Sequence, residues 1–160
     1  MATYSNKQHL NLVAERLSIG FKEAIGCLQK SASCLEQFAS GGGQCYLNDA
    51  TQTLNRANRV MHDVREDLNK MHKLMEEIEK TTSRILSISE IGGGDFARNL
   101  VKLLDNLGQL RDALQTLEQK LEHITFPFNM FGLKRLLECS KTYFSDLERV
   151  FDEILVYVVI

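Results

Sequence analysis

The sequence predicts an all-α chain, folded as an elongated, coiled-coil-like antiparallel four-helix bundle. Three observations carry this. Apolar residues recur at alternating three- and four-residue steps over several heptads, the period of a buried helix stripe. No stretch alternates apolar and polar residues in the manner of a half-buried strand. The helix breakers gather at three places: Gly41–Gly42–Gly43, Gly92–Gly93–Gly94 and the single proline, Pro127. Each glycine costs a helix about 1 kcal/mol relative to alanine and takes positive φ freely. Phe126 is biased away from the helical region by the proline after it. Both triplets and the proline therefore read as turns, and three turns divide the 160 residues into four segments of a single domain, 1–160.

The first helix is expected over about 5–39. Its stripe is Leu10, Ala14, Leu17, Phe21, Ala24, Leu28, Ser31, Leu35 and Phe38, with Ser31 the only polar member. Ser5 and Gln8 have the spacing of a capping box. The second helix is expected over about 46–90. Its stripe runs Leu47, Ala50, Leu54, Ala57, Met61, Val64, Leu68, Met71, Met75, Ile78, Thr82, Ile85. The third, about 95–124, carries Phe96, Leu100, Leu103, Leu107, Leu110, Leu114, Leu117, Leu121 and Ile124, with Asp95 placed to cap it after the glycines. The fourth, about 129–160, carries Leu133, Leu137, Ser140, Phe144, Leu147, Phe151, Ile154 and Val158. Leu136, Tyr143, Val150 and Tyr157 widen that stripe, which predicts a central position for this helix. The outer faces mix charges, and Glu66–Lys70 and Glu76–Lys80 have favourable i,i+4 spacing.

Helix lengths lead to an expectation about association. At 1.5 Å per residue the second helix spans roughly 67 Å and the third only about 45 Å. Short connections make consecutive helices antiparallel neighbours. A third helix folded back from Gly94 then reaches only to about residue 60 of the second. Residues 28–59 would form a protruding two-helix tip that exposes Leu28, Leu35, Phe38, Leu47 and Leu54 to a partner. The apolar C-terminal run, Ile154 to Ile160, reads mostly as core; the alternative, docking on another subunit, makes Val156, Val158 and Ile160 candidate partner-binding residues.

No chemistry-bearing motif competes with this reading. The histidines, His9, His62, His72 and His123, are not preceded at i−3 by glutamate, so the di-iron motif is absent. His62 and His72, ten residues apart, sit about 80° apart around a helix and about 15 Å along it. The cysteines Cys27, Cys34, Cys45 and Cys139 form no Cys-x-x-Cys. Cys34 and Cys45 flank the first turn and are the one pair able to bridge within the chain; reduced thiols are the default. No Gly-Lys-Ser/Thr follows the glycines and no nucleophile elbow occurs. Catalytic, cofactor-binding and metal-binding residues are therefore expected to be none, and no cofactor is expected. The aromatic cluster Phe126, Phe128, Met130 and Phe131 reads as closure of one bundle end.

Nineteen Lys+Arg stand against 21 Asp+Glu, a net charge of −2. With no basic stripe, nucleic-acid binding is not expected. No apolar run approaches 18 residues, so no transmembrane helix is expected. Residues Met1 to Gln8 lack an apolar core, so no signal peptide is expected and the chain is expected to be intracellular, with the cytoplasm as the default compartment. In architecture the long heptads resemble the small subunits of coiled-coil assemblies, without a shared motif. The expected function is a non-catalytic helical scaffold or adaptor, a complex subunit that binds a protein partner or itself through apolar helical faces. Two alternatives remain open: a bundle that binds lipid, disfavoured by the lack of a Lys/Arg-rich polar face, and a secreted helical effector or cytokine.

Overall fold

The computed structural model describes residues 2–82, 86–124, 130–156 and 158–159, with side chains over 6–81, 94–124 and 132–156. It has four helices: α1 (Ala2–Ala39), α2 (Gln44–Thr82), α3 (Ile88–Glu122) and α4 (Met130–Val156). Two short strands, β1 (Leu86–Ser87) and β2 (Val158–Val159), pair in parallel and tie the α2–α3 connection to the chain after α4. The chain is an all-α four-helix bundle.

The first glycine triplet is a turn, as its sequence requires. Gly42 N donates to Gln37 O at 3.0 Å and Gly41 N to Phe38 O at 3.2 Å. This is a Schellman closure of α1 with Gly41 at its left-handed position, φ 99°. Gly42 is needed as well, because a Cβ there would stand 2.6 Å from the Tyr46 ring and 2.7 Å from Gln37 O.

The second triplet is not a turn. α2 ends at Thr82 rather than near 90, and α3 begins at Ile88 and runs through Gly92–Gly94. Glycine lowers helix propensity without forbidding the helix, and α3 is long enough to carry the cost. Asp95 consequently lies inside the helix, where it pairs with Arg98 instead of capping. Ser5 likewise lies within α1, which starts at Ala2, so the capping box does not mark its start.

This shift removes the protruding tip. α2 has 39 residues and α3 has 35, so their lengths nearly match. α3 therefore reaches the far end of α1, where Lys120 meets Glu36 at 3.6 Å. Leu28, Leu35, Leu47 and Leu54 are buried within the chain, and Phe38 is half-buried against the same core. The expected exposure of these five residues was an error of helix boundaries, not of pattern.

Consecutive helices are not all neighbours. α1 packs against α2 and α3, α2 packs against α4, and α3 and α4 share only a slender seam. Side-chain pairs give the directions. Arg16–Asp67 and Arg56–Glu23 make α1 and α2 antiparallel. Arg65–Asp146 and His72–Glu153 make α2 and α4 parallel. Arg111–Glu148 and Lys141–Glu118 make α3 and α4 antiparallel, which leaves α3 parallel to α1. The connection after α2 thus crosses the bundle end to the diagonal position. α1, rather than α4, makes the two broadest seams.

Buried apolar residues from all four helices form one continuous core. Phe21 and Phe151 meet across it, ring centroids 6.2 Å apart. Ser31 and Ser140, polar members of the stripes, are hydrogen-bonded. Ser31 donates to Ala50 O at 2.8 Å across α1 and α2. Ser140 donates to Asn58 Oδ1, and Asn58 Nδ2 donates to Leu136 O at 3.0 Å, which fastens α4 to α2.

Candidate functional site: two helix-lined grooves

Grooves between helices combine apolar surface with charge; one of about 390 Å³ between α1 and α3 has only Ala32 and Ala113 as its apolar lining, and two others carry larger apolar side chains. The first lies between α1 and α2, near the start of α1, and has a volume of about 420 Å³. Its apolar surface comes from Leu12, Val13 and Leu74; its rim carries His9, Arg16, Lys70 and Lys73 against Glu77. α1 supplies Leu12 and Arg16 one turn apart, and α2 supplies Lys70, Lys73 and Glu77 at helical spacing, so all face the same cleft. Arg16 and Lys70 share one carboxylate, that of Asp67, at 2.9 and 3.9 Å. Lys70 thus leans on Asp67 rather than on Glu66. Among the described residues Lys73 and Glu77 make no ion pair.

A second large apolar side chain of α1 is exposed outside the cleft. Leu12 is 57% exposed and Ile19 is 69% exposed. Seven residues apart, they share one face of α1, about 10.5 Å from each other along the axis. They lie off the buried stripe, and their seven-residue spacing was the signal in the sequence that pattern reading passed over. Val101 and Val156 are also exposed, at 64% and 75%.

The second groove follows the slender α3–α4 seam. Two clefts of about 510 and 280 Å³ share Glu118 and Lys141, and Leu121, Leu137 and Phe144 line them. Its mouth is bridged. Lys141 Nζ lies 2.6 Å from Glu118, Arg111 lies 2.7 Å from Glu148, and the Arg111 guanidinium covers the Phe144 ring at 5.6 Å. The hydrogen bond to Glu118 raises the Lys141 pKa above its ordinary value. Lys134 in the lining of this groove makes no ion pair among the described residues, and neither does Lys73 on the α1–α2 rim.

The structure disperses the titratable groups weighed as chemistry. Arg65 donates to His62 Nδ1 at 3.2 Å, and His62 stands edge-on to Tyr143. His72 lies between Glu76 and Glu153, at 3.3 and 3.7 Å. All four cysteines are free. Burial raises the Cys27 pKa against the opposing Arg56 charge. Burial also raises that of Cys34, with Asp49 adding to it. Among the described residues no three His, Cys, Asp or Glu side chains are grouped to hold a metal ion, and no helix is long and apolar enough to cross a membrane.

Of the expected partner-binding residues, Leu28, Leu35, Leu47 and Leu54 are core, and Phe38 borders it. Val156 is exposed at the end of α4. Val158 pairs through its backbone with Leu86. Ile160 and the aromatic residues Phe126 and Phe128 lie outside the described residues. Compared with protein-family models, with curated proteins and with solved structures, the chain matches none.

Proposed function

We propose that the chain is a non-catalytic helical scaffold or adaptor that binds a protein partner along the outer face of α1. The observation that carries this is the pair Leu12 and Ile19, large apolar side chains left in water at heptad spacing beside an apolar cleft. Covering an exposed leucine or isoleucine is worth roughly 1.5–3 kcal/mol, and apolar side chains a heptad apart on one helix face suit contact with a partner helix. A long, rigid helix pair presents such a surface without reorganisation, which suits a subunit of a larger assembly. The proposal places the chain in the cytoplasm, a reducing compartment in keeping with four free thiols.

The test compares affinity purification from cells using the wild-type chain and the Leu12→Glu/Ile19→Glu variant, followed by reconstitution of any candidate from purified components. Both positions are exposed, so circular dichroism should show the variant as helical as the wild type. A partner retained by the wild type, lost by the variant and reconstituted as a binary complex supports the reading. An identical set of partners for both chains refutes it.

A further inference from the structure

We infer that the occupant of the α1–α2 cleft is an acidic amphipathic helix of a partner protein, an inference that rests on the binding role just proposed. Shape and charge both lead there. The cleft lies between two antiparallel helices and is open, and one heptad beyond Leu12 on α1 Ile19 is exposed, with Glu15 and Arg16 between them. A small ligand is normally enclosed over most of its surface; an open trough with apolar contacts a heptad apart fits a helix laid along it. Leu12, Leu74 and Ile19 would take apolar side chains spaced at i, i+3, i+4 and i+7.

The rim sets the charge of the ligand. Arg16, Lys70 and Lys73 face the cleft with His9, against Glu77 and the carboxylate of Asp67. Asp67 is already shared between Arg16 and Lys70, and Lys73 has no anionic partner among the described residues. A helix with Asp or Glu flanking its apolar stripe supplies the missing carboxylates, and a basic helix would be repelled. The α3–α4 groove offers no such bias: Arg111 and Lys141 are bridged to Glu148 and Glu118, and Glu118, Glu122 and Glu138 outnumber Lys134 and Lys141 in the lining of its larger cleft.

The test uses two displayed libraries of helical peptides with the same apolar stripe, one with Glu and Asp at the flanking positions and one with Lys and Arg. The expected result is enrichment of the acidic library alone. Binding of a selected peptide should weaken about tenfold or more in Lys70→Glu/Lys73→Glu and in Leu12→Glu, and persist in Lys73→Arg. It should also weaken between about 0.1 and 1 M salt, as the screening length falls from about 10 to about 3 Å. Equal enrichment of both libraries, or binding indifferent to the lysines, overturns the acidic occupant and leaves the scaffold reading standing. Enrichment of neither overturns it as well, and the affinity purification then decides separately whether the scaffold reading survives. Lysine-dependent flotation with phosphatidylserine vesicles would assign the cleft to a membrane surface, and a dimer broken by Leu12→Glu would assign it to a second copy. Either result overturns the inference.

Discussion

Gly20 and Gly26 occupy the same helix, yet their surroundings demand opposite outcomes on substitution. A Cβ at Gly20 would stand 2.7 Å from Val64 Cγ2, whereas one at Gly26 would meet nothing within 4 Å. Valine is held to one χ1 rotamer in a helix, so Val64 cannot swing aside and α1 must move off α2. Gly20→Ala should therefore destabilise the bundle by about 1–3 kcal/mol, less the propensity gain. Gly26→Ala keeps that gain whole and should stabilise by about 0.5–1 kcal/mol. Chemical denaturation of the two variants checks the opposite signs. The Asn58–Ser140 pair makes a second prediction at this scale. Ser140→Ala strands the Asn58 carbonyl oxygen between α2 and α4, at a cost of about 1–3 kcal/mol. Replacing both residues, Asn58→Leu with Ser140→Ala, should recover much of that loss, and a double-mutant cycle measures the coupling.

At the scale of the helix, α3 makes the sharpest demand on sequence reading. Gly94 is helical, and a Cβ there would meet only the flexible end of Arg98, at 3.8 Å. Gly94→Ala should therefore stabilise the protein by about 1 kcal/mol. Hydrogen exchange should show greater protection over the first turns of α3. Had the triplet been a turn with glycine-dependent φ, the same change would destabilise. Gly41, whose φ of 99° closes α1, is the control that should lose stability on the same substitution. The sequence made these two triplets look alike. What separates them is the continuation of the helix on each side: Gly41 follows a stripe that ends at Phe38, while α3 starts upstream at Ile88 and passes through its glycines. The stripes themselves were legible, since nearly every apolar stripe position among the described side chains is core. Boundaries were not, because propensity is a weak prior that tertiary packing overrides. Leu12 and Ile19 were missed for a related reason. A search for the buried stripe discards apolar residues that fall outside it, and those are the ones a partner would use.

Across the whole molecule, the consequence of misplacing one boundary is a different kind of cooperativity. A protruding tip would associate through Leu35 and Leu54 and detach from a bundle that stays folded without it. The structure instead has one core running along α1 from Leu10 to Leu35, about 38 Å at helical rise. Leu35 and Leu54 lie in that core and touch no solvent of consequence. A carboxylate placed at either buried position carries a desolvation penalty of several kcal/mol, comparable with the whole stability of a domain of this size. Leu35→Asp and Leu54→Asp should each abolish the cooperative thermal transition seen by circular dichroism, including the part contributed by α3 and α4. Leu12→Glu, on the exposed face of the same helix, should leave that transition nearly unchanged. Sedimentation separates the two ideas directly. A folded monomer produced by Leu54→Asp from a wild-type dimer would restore the tip as an interface. Loss of folding in both core variants beside an intact Leu12→Glu variant places the apolar stripe inside the molecule, and leaves the outer face of α1 as the surface available for assembly.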